Sequence, residues 1–209
     1  MLANWITLSR FPLLAGALAA LAWGTPALRV VGVATLLVGF LLDTLDGVVA
    51  RRRGEAGLFG SVLDIAADRV YELVLWIFFA GAGLVPVAIP IIVVARTTVT
   101  DAFRSIGVGE GTSPFAQHQT RVGRFLVAST WMRTGYSVTK VAAFVGLALA
   151  YAWRVRVGEG SGLPASRAMG LLPILTWVVV ALCVLRGLPV IIHALRHHWP
   201  ARGPVVAGG

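Results

Sequence analysis

Four aspartates stand in the stretch LLDTLDGVVARRRGEAGLFGSVLDIAAD, residues 41–68 of a 209-residue chain that holds only nine acidic residues. On helices, Asp43 and Asp46 (three apart) and Asp64 and Asp68 (four apart) each project from one face. The two pairs converge if their helices pack side by side. Four bare carboxylates in a bilayer cost on the order of 10 kcal/mol before their mutual repulsion, so cations must offset them. Hard divalent ions prefer carboxylate oxygens, and Mg²⁺ usually takes one or two carboxylates together with phosphate oxygens. The pattern therefore predicts one or two such ions holding a diphosphate. Arg51, Arg52 and Arg53 are the alternative counter-charges, but they follow Asp46 closely and are expected at the membrane surface. Gly47 and Ala50 leave the helix bare beside the acids, where a flat base or a sugar can approach the backbone. For Gly57, Gly60 and Ala66, tight helix packing is an equally good reason.

Written as a pattern, the stretch is D-x-x-D-G-x-x-A-R, eight residues, G, three residues, D, three residues, D. It resembles the signature of the CDP-alcohol phosphatidyltransferase family, whose eight fixed positions are filled by Asp43, Asp46, Gly47, Ala50, Arg51, Gly60, Asp64 and Asp68. The resemblance implies that Asp43, Asp46, Asp64 and Asp68 coordinate Mg²⁺ or Mn²⁺, two ions in all. It also implies that Gly47, Ala50, Arg51 and Gly60 shape the cytidine and phosphate pocket, and that Asp68 is the base. By the same resemblance the donor is CDP-diacylglycerol. An alcohol attacks its β-phosphoryl group, CMP leaves and a phosphodiester lipid forms, a step of phospholipid biosynthesis.

The elements that must position these residues are membrane helices. The chain is 57% hydrophobic and 13% charged, against about 25% charged in soluble proteins. We expect an all-α integral membrane bundle of six transmembrane helices over residues 5–23, 28–50, 58–81, 84–106, 132–152 and 169–195. Residues 51–57 form a short basic loop, and an interfacial turn or helix precedes the fifth span within the polar stretch 107–124. Residues 1–196 make one domain, and 197–209 a basic, then disordered, cytoplasmic tail. No basic segment precedes the first apolar run, which is therefore read as an uncleaved helix rather than a signal peptide. The net charge of +9 lies mostly at the ends of apolar segments, where it serves topology and anionic lipid rather than nucleic acid. The arginine balance puts both termini and the aspartates on the cytoplasmic side, in a bacterial inner membrane. The single cysteine, Cys183, excludes an internal disulfide.

The cations suggest the acceptor. Arg96, Thr100 and Arg104 recur every four residues, and Arg96 lies roughly 15 Å inside the end of its helix, too deep for a surface arginine. Arg133, Tyr136 and Lys140, the sole lysine, share a face of the fifth span. Arg96, Arg104, Arg133 and Lys140 favour a phosphorylated alcohol, hence glycerol 3-phosphate. Asn4, Thr7 and Arg10 form a polar stripe resembling the N-x-x-T-x-x-R opening of the phosphatidylglycerophosphate synthases within the family, although spacing alone favours an arginine that snorkels to the surface. The chain departs from that branch ahead of the fifth span, reading GYSVTK where its members tend to show G-K-x-K-T. Inositol phosphate, inositol, serine and phosphatidylglycerol stay open as acceptors. Arg69 and Glu72 read as a structural ion pair, Asp101 as a partner of Arg104 or Thr97, and His118 as a solvated loop residue. Gly187 and Pro189 suggest a kink in the sixth helix.

Two other classes would also use buried acids. A membrane prenyltransferase works on a lipid diphosphate with Mg²⁺, but resembles a longer chain with two separate acidic motifs. A divalent-cation transporter needs an ion path to the outer face, where the fifth and sixth spans offer no carboxylates. The sequence does not fix the oligomeric state, and a homodimer is compatible with it.

Overall fold

A computed structural model describes residues 2–53, 57–109, 130–157 and 166–198. These form six helices: α1 Leu2–Trp23, α2 Pro26–Arg53, α3 Leu58–Gly81, α4 Ala88–Gly109, α5 Thr130–Val157 and α6 Ser166–His198. The interfacial segment expected before the fifth span, His118 and the 199–209 tail lie outside the described residues.

Helix ends follow local chemistry. Gly24 closes α1 with its N–H on the Ala20 carbonyl at 3.0 Å. The next turn starts at once, with Thr25 Oγ1 accepting from the Leu28 N–H at 3.4 Å and Pro26 opening α2, where a missing N–H costs nothing. Arg29 then reaches back, its Nε 2.9 Å from the Gly24 carbonyl oxygen, a cation on the negative end of α1. After α3, Gly83 takes φ +69°, the left-handed step that lets Leu84 N–H bond back to Phe79 at 3.0 Å. The basic triplet is helical, because arginine is a good helix former and α2 meets no breaker before residue 54. The expected loop at 51–53 is corrected to the last turn of α2. The sixth helix runs through Pro173 and Pro189 as one element.

Polarity is inverted relative to a soluble protein. Leu41, Phe59, Val62, Ile77, Ile91 and Leu171 are exposed, whereas Arg10, Asp46, Glu72, Thr97, Thr100 and Lys140 are buried. Two buried hydroxyls return to their own backbone, Thr100 to the Arg96 carbonyl at 2.7 Å and Thr176 to Leu172 at 2.8 Å, since lipid offers them no partner. α1, α2, α5 and α6 contain stretches long and apolar enough to cross a membrane. α3 carries Asp64, Asp68, Arg69 and Glu72, and α4 carries Arg96 and Asp101, on helices that also turn apolar faces such as Ile77 and Ile91 outward. The chain is an all-α integral membrane bundle.

α1 packs on both α2 and α3, while α5 packs on α2 and α6, and α4 on α3 and α6. α2 and α3, though consecutive, lie less closely on each other than on α1. Gly32 brings α2 onto Ala17, Ala20 and Leu21 of α1, the small-residue contact that lets membrane helices gain dispersion energy. Phe40 of α2 stacks on Phe144 of α5 (centroids 6.0 Å), which meets Trp76 of α3 at 4.6 Å. Tyr71 of α3 fills the notch at Gly39, where a Cβ would collide with its hydroxyl and ring. Overpacking of this kind costs about 1–3 kcal/mol. Gly39→Ala should lower the thermal midpoint of the detergent-solubilised protein, whereas Gly16→Ala, with nothing near its Cβ, should leave it unchanged or raised.

Candidate functional site

The acid quartet is assembled from α2 and α3 with α1 laid across them. Arg10 of α1 is 1% exposed and places Nη1 2.6 Å from Asp43 Oδ1 and 3.9 Å from Asp64 Oδ1. One guanidinium nitrogen thus joins a carboxylate from each pair. One turn earlier, Thr7 Oγ1 lies 2.8 Å from Asp46 Oδ2 and 3.1 Å from the Ala3 carbonyl. A further turn back, Asn4 lies over Gly60, where a Cβ would stand 3.0 Å from its Oδ1. Asp43 is within the field of Asp46 and Asp68, and Asp64 within that of the other three aspartates. The two pairs form one cluster through α1, not by side-by-side packing of α2 on α3.

Asp68 faces α5. Lys140 Nζ lies 2.9 Å from Asp68 Oδ1 and 3.4 Å from Glu72 Oε2. Tyr136 donates its hydroxyl to Glu72 Oε1 at 2.9 Å, and Arg69 stands 3.8 Å from Glu72 while its Nε donates to Asp101 of α4 at 3.2 Å. The expected Arg69 and Glu72 pair is present. Arg69 is an Asp101 partner that sequence spacing did not suggest, because it comes from another helix.

A cavity of about 970 Å³ opens between these helices. Asp43, Asp64, Asp68, Arg69, Arg96, Tyr136, Lys140 and Arg186 line its polar part, and Leu37, Phe40, Leu41, Val138, Val141 and Val145 its apolar part. Asp46 is turned toward Thr7. Gly47 is half-buried beside it on α2. Arg96 and Lys140 thus reach the same cavity, although Lys140 is already engaged by two carboxylates. The side chains of Ala50, Arg51, Arg104 and Arg133 lie outside what the structure describes.

Three residues do more than their spacing favours. Arg10, for which spacing favours snorkelling over facing the bundle, is buried and faces the bundle, because helix position gives depth and not direction. Glu72 holds Tyr136 and Lys140 as well as the expected Arg69. Arg186 lines the cavity with its guanidinium 4.9 Å over the Tyr136 ring. Its signal was available, since an arginine deep in an apolar span is expensive unless it faces the interior. Gly187, read as a kink, lets α6 lie directly on Arg96 and Thr100.

The residues suit a divalent ion chemically. All four aspartates offer hard oxygens, and Asp46 Oδ1, on a side chain 3% exposed, has no hydrogen-bond partner among the described residues. Among the described residues no three acid, histidine or cysteine side chains are already arranged as a ligand set. Arg10 stands between the two carboxylates instead.

In comparisons with known proteins, the family model described as CDP-alcohol phosphatidyltransferase matches residues 1–158, from α1 to the end of α5. No curated protein matches the chain.

The Glu72 network makes a stability prediction that does not depend on chemistry at the acids. Tyr136→Phe deletes the 2.9 Å bond to a carboxylate that is 2% exposed, which typically costs about 1–3 kcal/mol. Its unfolding midpoint in detergent should fall accordingly, and an unchanged midpoint would show that the hydroxyl is dispensable.

Proposed function

The chain belongs to the CDP-alcohol phosphatidyltransferase family, and from that premise we propose that it transfers a phosphatidyl group from CDP-diacylglycerol to glycerol 3-phosphate, releasing CMP and forming phosphatidylglycerophosphate. The family's reaction is phosphatidyl transfer from a CDP-alcohol to an alcohol, a phosphotransferase step of phospholipid biosynthesis, and the family is generally dependent on divalent metal ions. The chain is an integral membrane protein. What carries the finer reading is the cavity, which joins three aspartates to Arg96, Lys140 and Arg186 and continues into an apolar wall.

Each part of such a substrate has a counterpart there. The apolar wall receives the start of the diacylglycerol moiety, and Gly47 leaves room at the backbone for the nucleotide, with Ala50, Arg51 and Gly60 completing that pocket in this reading. Asp43, Asp46, Asp64 and Asp68 would hold two ions of Mg²⁺ or Mn²⁺, which neutralise charge on the diphosphate. Arg96 and Arg186 meet the acceptor's phosphate through charge-assisted hydrogen bonds, with Arg104 and Arg133 as further candidates. Lys140 reaches that phosphate only by loosening its hold on Asp68, and its first role is to orient that carboxylate. Asp68 takes the proton of the acceptor hydroxyl as its oxygen bonds to the β-phosphorus. The bridging P–O bond breaks and its electron pair leaves with CMP. Residues 1–196 then form one catalytic domain, with α6 running on to His198 ahead of the tail, and the acids open to the cytoplasmic face of a bacterial inner membrane.

The assay is CMP release by purified protein with CDP-diacylglycerol and, in turn, glycerol 3-phosphate, inositol phosphate, inositol, serine and phosphatidylglycerol. Glycerol 3-phosphate should support turnover. Chelation of divalent ions should abolish it, and Asp68→Asn should lower kcat by about 10²–10⁴ in protein that still folds. Arg96→Gln should raise the KM for glycerol 3-phosphate about tenfold or more, as for loss of a charged hydrogen bond, leaving that for CDP-diacylglycerol unchanged. Turnover with an uncharged alcohol, unaffected by Arg96→Gln, would replace the acceptor. No CMP with any alcohol would remove the reaction.

A further inference from the structure

Arg10 is held unlike a structural arginine. Arg29, at the other end of α1, anchors its guanidinium on the backbone carbonyls of Gly24 and Ala22 at 2.9 and 3.5 Å. Arg10 has no such anchors: its Nε and Nη2 are buried without a hydrogen-bond acceptor among the described residues. What holds the group is charge. Nη1 lies 2.6 Å from Asp43 and 3.9 Å from Asp64, and the guanidinium carbon sits 5.3 Å over the Tyr71 ring. A guanidinium has five donors, so a fully buried one that leaves several unused is poorly satisfied where it stands. The carboxylates have reason to keep it, however. Without a cation between them, Asp43 and Asp64 would repel each other in a medium that screens poorly.

We propose that Arg10 is a built-in counter-ion for the acid quartet: it holds Asp43 and Asp64 together when no divalent ion is bound, and competes with the ion for them. The inference rests on the reading that these aspartates bind a metal. A divalent ion carries twice the charge and approaches carboxylate oxygens to about 2.0–2.6 Å, closer than a guanidinium nitrogen. It therefore displaces Arg10 from both acids. The exchange keeps the site charge-balanced in either state, so the quartet stays assembled on α2 and α3 before metal arrives. Asp46, which Arg10 does not pair, is held by Thr7 with Oδ1 left over, a ligand atom ready for the incoming ion.

The test is titration of the full-length protein in detergent with Mn²⁺ alone, without lipid substrate, read by calorimetry and by thermal unfolding. Arg10→Gln should bind Mn²⁺ at least about fivefold more tightly than the wild type, the lower end of ordinary coupling between sites. It should be less stable without metal, and Mn²⁺ should raise its midpoint further than it raises the wild type's. Equal or weaker Mn²⁺ binding by a folded Arg10→Gln protein would overturn the counter-ion role while leaving the metal site intact. A wild type that binds no Mn²⁺ would remove the metal reading and this inference with it. Should Arg10→Gln fail to fold without metal, Mn²⁺ present throughout expression and purification should rescue it, and failure of that rescue would also overturn the proposal.

Discussion

Charge buried in a bilayer must be matched locally, because neither water nor a high dielectric is there to spread it. In the described part of this molecule that rule decides which helix lies against which. α3 carries Asp64, Asp68, Arg69 and Glu72 within nine residues, and between them they reach three neighbouring helices. Asp64 meets Arg10 of α1, Asp68 meets Lys140 of α5, and Arg69 meets Asp101 of α4. Glu72 binds Tyr136 and Lys140 of α5 as well as Arg69 of its own helix. Polar contacts among membrane helices are individually modest, and a buried ion pair is weak evidence of stability. Their value here is register: sliding α3 along any partner by one turn would separate at least one pair.

The network is not uniform. Around Glu72 it is closed, the carboxylate being satisfied by two cations and a phenol. On the α1 side it is open: among the described residues the Arg10 guanidinium is short of acceptors, and Asp46 Oδ1 has no donor. A closed half fixes geometry, and an open half can exchange partners. The aspartates belong to both: Asp68 is oriented by the closed half, whereas Asp43 and Asp64 are balanced by the open one. A site that must bind and release charged ligands needs that asymmetry, since a fully satisfied cluster would offer an incoming ion nothing it could improve.

The acids and their spacing were legible in the sequence because helical periodicity alone puts residues three or four apart on one face. The number of helices was legible for a similar reason: long apolar runs interrupted by glycine, proline and charge have few other readings. What was hidden was direction. Arg10 lies near the start of α1, where spacing favours snorkelling without excluding the inward direction, and only packing of α1 across α2 and α3 decides between them. Likewise the convergence of the two pairs looked like a contact of consecutive helices, although α1 supplies it. Arg186 stood in plain view but next to Gly187 and Pro189, whose kink reading drew attention from its charge. The family match ends at residue 158, so α6, which carries Arg186, rests on the structure alone.

The floor of the site bears on what kind of protein this is. Phe40 lies one turn before Asp43, Tyr71 and Trp76 follow Asp68, and Phe144 follows Lys140 by one turn, so the aromatic cluster sits just deeper in the bundle than the acids. Phe144 stacks on Phe40 and Phe79 and meets Trp76 at 4.6 Å, and Trp76, Phe79 and Phe144 are fully buried. An ion traversing the bundle would have to leave carboxylate oxygens for the rings of Trp76, Phe79 and Phe144, among which the described residues place no carboxylate to share its desolvation. Such a floor suits a pocket entered and left from one side. In the proposed reaction, a head group that stops at these rings would trail its lipid chains along the apolar wall of Leu37, Val138, Val141 and Val145, and only its soluble fragment would depart through the mouth by which it came.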